Sequence, residues 1–366
     1  MDYNSYRRES RFFKVGSVGL GGKFPISIQS MTNTDTHDKN ATYTQIVELQ
    51  KAGCDIVRIA VSDIEAAATI SYLKEKEIEV PIVADIHFDY KIALEAIARG
   101  VDKIRINPGN IGSREKTEAV VRACRLKNVP IRIGVNSGSV EKSVLEKYGA
   151  VTAEALVESA LSHAKILEEL DFSDIAVSVK ASDVPTMIAA NRLLAQTTDY
   201  PIHLGVTEAG ARTRAIVKSS VGIGALLSEG IGDTVRVSLT DNPIEEVAAA
   251  KEILAALEIS ENPGMDIVSC PTCGRTKIDL IKMVEDFEKR AKEEGLSSMN
   301  IKVALMGCAV NGPGEARGAD VGIAGGVSEG LVFRHGEIIK KVKEDRLIDE
   351  LISLIKSMKD EKDYVG

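Results

Sequence analysis

Short runs of β-branched residues alternate with longer amphipathic segments over the first two thirds of the chain. Eight of these runs are predicted strands, and they cover residues 25–31, 56–61, 81–86, 103–107, 130–135, 175–180, 201–207 and 234–240. The segments between them are rich in Ala, Glu, Lys and Leu, with apolar residues at helical spacing. This alternation predicts parallel strands joined by helical crossovers.

A fourfold repeat favours a closed (β/α)8 barrel over an open sheet. The odd-numbered strands begin PISI, PIVA, PIRI and PIHL, and each even-numbered strand begins after an aspartate: Asp55, Asp102, Asp174 and Asp233. Four copies of a two-strand unit fit a barrel, in which alternate strands fill alternate interior layers. A doubly wound open sheet is the alternative, but it gives no reason for the repetition.

The chain is predicted to have a capping segment, a barrel, a linker and a second α/β domain. Their predicted bounds are 1–24, 25–258, 259–264 and 265–366. The capping segment contains a Gly-rich stretch typical of a hairpin, and the linker is marked by Pro and Gly. The second domain contains three of the five cysteines and two charged helices, predicted at about 277–294 and 338–359.

One face of the predicted strands is polar, although strands of parallel barrels are normally apolar on both faces. Alternate residues of a strand share a face, so the polar residues form one set, which we expect to point into the barrel. The set has four arginines and one lysine against one aspartate. Its members are Gln29, Arg58, Asp85, His87, Arg105, Asn107, Arg132, Asn136, Ser178, Lys180, His203, Thr207, Arg236 and Ser238.

Five converging cations predict an anionic ligand. Left unpaired and partly desolvated, they would cost several kcal/mol per ion. Arginine forks match phosphate oxygens, so we expect a phosphorylated small molecule at the carboxyl ends of the strands. A salt-bridge network with Glu208 or loop carboxylates is the alternative. Glu208 directly follows the seventh strand and is a candidate proton donor if it is buried.

The second domain has the spacing of a metal site. Cys270 and Cys273 form C-x2-C, a turn that points two thiolates at one metal, and Cys308 is the third cysteine. An iron–sulfur cluster accepts three cysteines if another residue binds the last iron, and Glu315 is placed to do so. A zinc site completed by His335, or structural or redox thiols, remain open at this point.

Charge and composition exclude several other classes. The 366 residues include 46 Lys and Arg against 54 Asp and Glu, a net charge of −8, with 4% aromatics and no Trp, which disfavours nucleic-acid binding. Five cysteines are too few for a disulfide framework, and Cys54 and Cys124 lie in patterns typical of buried residues. The chain shows no apolar signal core or membrane-length apolar run, so we expect a cytoplasmic protein without membrane partners.

The motifs together resemble those of the bacterial 4-hydroxy-3-methylbut-2-enyl diphosphate synthases, which act in the methylerythritol phosphate route to isoprenoids. They are SIQSMTNTDT, DIVRIAV, ADIHFDY, KIRINPGN, IRIGVNSGS, SVKASD, HLGVTEAG, DTVRVSLT, SCPTCGRT and MGCAVNGPGEA. The resemblance implies a (β/α)8 barrel followed by a smaller α/β domain with a [4Fe–4S] cluster. It also implies the two-electron reduction of 2-C-methyl-D-erythritol 2,4-cyclodiphosphate to 4-hydroxy-3-methylbut-2-enyl diphosphate.

The resemblance implies residue roles and partners as well. The cluster ligands would be Cys270, Cys273, Cys308 and Glu315, with Glu315 also taking part in catalysis. The diphosphate would be bound by Arg58, Arg105, Asn107, Arg132, Asn136, Lys180, Arg236 and Ser238. Reduced flavodoxin or ferredoxin would supply electrons, and the protein would be a homodimer in which one subunit's cluster domain covers its partner's barrel. Two other classes remain as alternatives: a barrel aldolase or synthase with structural zinc, and a non-catalytic binding or regulatory protein.

Overall fold

A short antiparallel hairpin precedes a ring of eight parallel strands. In this computed structural model, which describes residues 3–260, 263–308 and 318–363, the hairpin consists of β1 (Phe12–Val15) and β2 (Val18–Gly21). The ring strands are β3 (Ser27–Met31), β4 (Ile56–Ala60), β5 (Ile82–Asp85), β6 (Lys103–Ile106), β7 (Ile131–Asn136), β8 (Ile175–Lys180), β9 (His203–Leu204) and β10 (Thr234–Val235).

The ring closes into a barrel. Its hydrogen-bonded order runs β8-β7-β6-β5-β4-β3-β10-β9, and a parallel bridge between Val177 and Ile202 joins the two ends. The prediction of a (β/α)8 barrel is therefore confirmed. The ladders of β9 and β10 are shorter than the predicted strands, although the Arg236 amide still donates to the Leu204 carbonyl beyond the end of β10.

Among the described residues of this unit, eight helices connect consecutive ring strands and a ninth follows the last of them. They are α1 (Lys39–Lys51), α2 (Ile64–Glu75), α3 (Tyr90–Ala98), α4 (Arg114–Lys127), α5 (Lys142–Tyr148), α6 (Ala153–Glu168), α7 (Val184–Thr197), α8 (Arg212–Ser228) and α9 (Pro243–Ala256). Aspartates at strand–helix junctions begin several of them, because each side chain accepts a hydrogen bond from a free amide of the first turn. Asp63 does so for α2 and Asp183 for α7.

The hairpin covers the amino end of the barrel. Inward-facing apolar residues at the starts of the ring strands meet apolar residues of the hairpin in one buried cluster. The cluster consists of Phe13, Val15 and Leu20 from the hairpin and Ile56, Val83 and Ala176 from the ring. The polar interior of the barrel therefore lies above an apolar floor.

The chain divides into two compact units, Met1–Ser260 and Glu261–Gly366. The second unit has a five-stranded sheet in the order β11-β12-β13-β14-β15, in which the first three strands are parallel and the last two pairs antiparallel. Its elements are β11 (Met265–Ser269), α10 (Leu280–Glu293), β12 (Ile301–Met306), β13 (Val321–Gly325), β14 (Glu329–Arg334), β15 (Glu337–Lys343) and α11 (Leu347–Asp363). Among the described residues, no helix has the length and apolar content needed to cross a membrane.

The predicted helix at 338–359 begins too early. Residues 337–343 form β15, which pairs with β14, and the helix starts only at Leu347. The strand lies at the sheet edge, where Ile338 and Ile339 are exposed and are followed by three lysines at positions 340, 341 and 343. Lysine is common on edge strands because it discourages further strand pairing. Without a buried face, the strand has no clear two-residue period, and its sequence therefore does not distinguish it from the start of the helix.

Candidate active site

A cavity of about 250 Å³ lies at the carboxyl ends of the barrel strands, and cations line it. Strand register brings them together, because Arg105 lies beside Arg132 and Asn136 lies beside Lys180. We call this space the mouth cavity. Its lining residues are Met31, Arg58, Asp85, His87, Arg105, Arg132, Asn136, Lys180, Thr207, Arg236 and Ser238. Seven of the eight residues predicted to bind diphosphate are therefore found here.

The eighth, Asn107, lines an adjacent cavity of about 460 Å³. This second space shares His87, Arg105 and Asn136 with the mouth cavity, so the two form neighbouring parts of one site. Asn107 is buried, and its Oδ1 accepts a hydrogen bond of 3.0 Å from the Gly134 amide. The amide nitrogen of its side chain therefore remains for a ligand.

Two carboxylates pair with three of the five cations. Asp85 lies 3.1 Å from Arg105 and 3.7 Å from Arg58. Glu246, buried on α9, lies 3.1 Å from Arg236. The predicted alternative of a salt-bridge network is thus realised in part, but through Asp85 and Glu246 and not through Glu208.

Arg132 and Lys180 lack a carboxylate partner within the part of the chain that the structure describes. Arg132 is 1% exposed and donates from Nη1 to Ser178 Oγ at 2.7 Å, while its Nε and Nη2 have no hydrogen-bond partner there. Lys180 is 6% exposed. Five cations against two carboxylates leave an excess of three positive charges, which favours binding of an anion.

Two glycines make room for this cluster. A Cβ on Gly134 would lie 2.5 Å from Arg105 Nε, and one on Gly205 would lie 2.7 Å from Lys180 Nζ. Gly134 alternates with Arg132 and Asn136 on the inward face of β7, and Gly205 directly follows β9. Larger residues here would displace the charged groups, so the glycines are part of the site.

The crowding of cations shifts their pKa values. Burial, and then the neighbouring Arg132 and Arg236, lower the pKa of Lys180 well below its ordinary value. Burial also lowers the pKa of Arg58, to about 10, although Asp85 opposes the shift. Burial alone would raise the pKa of Asp85, but Arg58 and Arg105 outweigh it and bring this pKa to about 2. Asp85 is therefore an ionised partner at neutral pH and not a proton donor.

Three residues of this region were missed by the sequence reasoning. Lys103 is fully buried on the inward face of β6, two residues before Arg105. Met31 Sδ lies 2.9 Å from Arg58 Nη2, at the end of the first ring strand. The sequence could have indicated Glu246, because it is the one charged residue among the buried positions of α9.

The histidine His203 lies deeper than predicted. It is fully buried in the barrel interior and is not among the residues that line the mouth cavity. Burial, and then Lys180 and Arg132, lower its pKa well below the ordinary value, so the ring is neutral. His87, by contrast, is exposed at the mouth, with Nδ1 3.3 Å from Arg105 Nη1.

Glu208 lies beyond β9 and does not meet the burial condition set for it. Its side chain is exposed in the described structure, and its backbone has a φ of 52°. A non-glycine residue in this left-handed region costs on the order of 1 kcal/mol, and such residues cluster at functional sites. The backbone, and not burial, is therefore the unusual feature of Glu208.

The second unit brings Cys270 and Cys308 to neighbouring strand ends. Cys270 follows β11 directly, Cys308 follows β12 by two residues, and the two strands are parallel partners. The Gly307 amide donates a hydrogen bond of 3.2 Å to Cys270 Sγ. Such bonds favour the thiolate form and are typical of iron–sulfur sites.

The Cys273 turn is anchored by Thr276, whose Oγ1 accepts from the Cys273 amide at 3.2 Å. Glu315, the predicted fourth ligand, lies outside the described residues. Within residues 3–260, 263–308 and 318–363, no three Cys, His, Asp or Glu side chains are close enough to hold a metal ion. His335, the alternative zinc ligand, lies 3.8 Å from Asp320.

Cys54 and Cys124 are buried, as predicted. Burial raises the pKa of the Cys54 thiol to about 12 and raises that of Cys124 as well. Since only a thiolate binds metal well, neither is suited to be a ligand.

Fold and site together define a (β/α)8-barrel protein with a cation-lined mouth, followed by a thiol-bearing α/β unit. Models of one family match both units: the GcpE TIM-barrel domain matches residues 10–251, and the GcpE protein C-terminal domain matches residues 266–357. The chain belongs to the GcpE family.

Curated relatives are similar over nearly the whole chain. The 4-hydroxy-3-methylbut-2-en-1-yl diphosphate synthase (flavodoxin) of Clostridium perfringens is 61% identical, covering 96% of this chain and 99% of the relative. The enzyme of the same name from Geobacillus thermodenitrificans is 55% identical, covering 97% and 94%. Among solved structures, dihydropteroate synthase from Xanthomonas albilineans has a TM-score of 0.47 and 16% identity, covering 68% of this chain and 98% of that one. At that TM-score the likeness supports no conclusion.

Proposed function

We propose that this chain catalyses the reductive ring opening of 2-C-methyl-D-erythritol 2,4-cyclodiphosphate to 4-hydroxy-3-methylbut-2-enyl diphosphate, a step of isoprenoid biosynthesis. The reaction takes up two electrons and two protons and releases one water. The excess of three positive charges around the mouth cavity is the observation that carries the proposal. A diphosphate would balance this charge, and the relatives are named for a diphosphate product. Site and family thus agree on a phosphorylated substrate.

The diphosphate occupies the mouth cavity, where its negative charge balances the excess positive charge of the lining residues. Arg132 and Lys180 contact it directly, since no carboxylate of the described chain neutralises them. Guanidinium forks bind phosphate oxygens in pairs, which fixes the substrate as well as holding it. The full binding set is Arg58, Arg105, Asn107, Arg132, Asn136, Lys180, Arg236 and Ser238.

Glu208 donates a proton to the substrate. Its position just after β9, at the carboxyl end of the barrel, supports this role, as does its left-handed backbone. Glu208→Gln should abolish turnover without weakening substrate binding. Glu77→Gln is the matched control, because Glu77 is also exposed with a φ of 51° but lies at the opposite end of the barrel. Equal turnover in the two variants would overturn the role.

The residues present in the second unit fit an iron–sulfur cluster, as the amide directed at Cys270 indicates. We propose that Cys270, Cys273, Cys308 and Glu315 hold a [4Fe–4S] cluster. When bound, this group supplies electrons and a Lewis-acidic iron. Glu315 is proposed as a catalytic residue because a carboxylate is displaced more easily than a thiolate.

Reduced flavodoxin is the proposed electron donor, with ferredoxin as the alternative. The flavodoxin in the relatives' names supports this choice. A homodimer and a cytoplasmic location stay predictions.

Anaerobic turnover tests the proposal. Full-length protein with about four iron and four sulfide per chain, given reduced flavodoxin, should convert the cyclic diphosphate to the linear product. Arg132→Met should raise KM by about a hundredfold, since it removes a buried charge that contacts the ligand. Arg122→Met is the control, because Arg122 is exposed on α4. Iron-loaded protein that leaves the cyclic diphosphate unchanged would overturn the function.

A further inference from the structure

A buried histidine outside the proposed substrate-binding set connects three elements beside the site. His163 lies on α6, and its side chain is 2% exposed. Its Nδ1 accepts a hydrogen bond of 3.1 Å from the Gly109 amide, in the 3-10 turn Pro108–Asn110 that follows β6. Its Nε2 lies 2.6 Å from Glu141 Oε1, just before α5.

These contacts define the protonation of the ring. Because an amide N–H donates to Nδ1, that atom must carry a lone pair, and the ring proton is on Nε2. Nε2 then faces the Glu141 carboxylate, although the approach is bent and does not have ideal hydrogen-bond geometry. The neutral ring thus presents an acceptor to one loop and a donor to another.

The ring also fits closely against the turn. A Cβ on Gly109 would lie 2.7 Å from His163 Cε1, a distance that real Cβ atoms do not reach. The Asn110 amide donates to the Asn107 carbonyl at 2.8 Å and closes the same turn. The position of this turn relative to α6 is therefore set by His163.

Both loops line the site. Asn107, Asn110 and Glu141 face the cavity adjacent to the mouth cavity, while His163 is behind them and does not line it. A shift of the turn would move Asn107, whose side chain also accepts from the Gly134 amide beside Arg105. The histidine is thus placed to act on the ligand only through other residues.

We propose that His163 is a positioning residue for substrate binding, which sets the place of Asn107 through the Gly109 amide. The inference rests on the proposed role of Asn107 in binding the cyclic diphosphate. Asn107 acts on ground state and transition state alike, so its displacement changes KM and leaves kcat nearly unchanged.

Two substitutions of His163 separate this role from simple packing. Asn places Oδ1 near the position of Nδ1, so His163→Asn retains an acceptor for Gly109. Gln places its amide near Nε2, so His163→Gln retains a donor toward Glu141 and loses the Gly109 acceptor. We expect KM to rise about tenfold in His163→Gln and less than about twofold in His163→Asn, at equal iron content.

Thermal stability gives the readout that distinguishes the alternatives. Asn is smaller and leaves more empty volume, so a packing role predicts a larger loss of Tm and of function in His163→Asn than in His163→Gln. The positioning role predicts the opposite order for KM. Gly109→Ala should raise KM in the wild type and do so less in His163→Asn, where the ring no longer meets the new Cβ.

Asn107→Ala makes the outcomes distinguishable. If it raises KM while His163→Gln leaves KM unchanged, or if the KM changes follow Tm, the positioning role is overturned and the substrate site stands. If Asn107→Ala leaves KM unchanged, the proposed site at Asn107 fails, and the inference fails with it.

Discussion

Arg132 and Lys180 show at the scale of single residues why an anion belongs in the barrel mouth. Both are buried, and neither has a carboxylate partner in the described chain. Burial, and then the surrounding cations, lower the pKa of each. A bound dianion reverses part of that shift because it stabilises the charged forms.

Substrate binding should therefore take up protons. Lys180 has a lowered pKa in the free protein, and a bound anion raises it, so protons enter wherever the pH lies between the two values. A cyclic diphosphate is fully ionised in this range and contributes no protons of its own. Calorimetry over a series of pH values below the ordinary lysine pKa, in buffers of different ionisation enthalpy, should show net uptake in the wild type within that interval. Lys180→Met is the control, because it removes the titrating amine and leaves the neighbouring guanidinium groups in place. Identical proton uptake in both proteins would contradict the expectation.

Gly134→Ala should weaken substrate binding without unfolding the barrel. The new Cβ would lie 2.5 Å from Arg105 Nε, and the three nearest atoms all belong to the Arg105 guanidinium, which must then leave Asp85. We expect KM to rise about tenfold. Gly224→Ala is the matched control, since Gly224 is on α8, lines neither cavity and would have no atom beyond its own stretch of helix within 4 Å of an added Cβ. A normal KM in Gly134→Ala would mean that the position of Arg105 is not needed.

Much of the mouth cavity could be predicted from strand alternation, because a two-residue period assigns a face without any tertiary information. Glu246 could not be assigned to Arg236 in this way, since their contact joins a helix to a strand. The separate cavity of Asn107 depends on the turn Pro108–Asn110, and its partner His163 lies 54 residues further on. These contacts between different elements form only when the barrel closes, so the pattern of a single strand or helix does not predict them.

At the scale of elements, the hairpin β1–β2 should be needed for barrel stability. Phe13 is buried against the barrel floor, whereas its neighbour Phe12 is 70% exposed. Phe13→Ala should lower the free energy of unfolding by about 3 kcal/mol, from lost burial and the cavity left behind. Phe12→Ala should lower it by about 0.5 kcal/mol or less. Urea unfolding followed by circular dichroism compares them, and equal losses would show that the floor contact is unimportant.

Burial determines whether the sequence pattern predicts the type of an element correctly. Ring strands such as β7 are buried along their length and were recognised by their apolar content and repeat. The strand β15 is exposed along nearly its whole length, and its sequence pattern predicts a helix instead. A pattern can indicate the type of an element only where one face contacts a core.

At the scale of the whole molecule, the net charge of −8 hides an opposite charge at the site. Acidic residues are distributed over outer helices and loops, while the mouth cavity has an excess of cations. Net charge therefore describes partners that meet the surface, such as nucleic acid, and not a ligand that enters the barrel.

The cysteines of the whole chain should divide into two functional groups. Cys270, Cys273 and Cys308 follow strands of the second unit and are partly or fully exposed, as ligands must be to reach a cluster. Cys270→Ser or Cys308→Ser should lower the iron content of anaerobically purified protein from about four per chain, because a serine hydroxyl replaces a thiolate ligand. Cys124→Ser is the control, since Cys124 is buried within α4 and burial raises the pKa of its thiol. Full iron content in Cys308→Ser, or loss of iron in Cys124→Ser alone, would mean that the cluster ligands have been assigned to the wrong group.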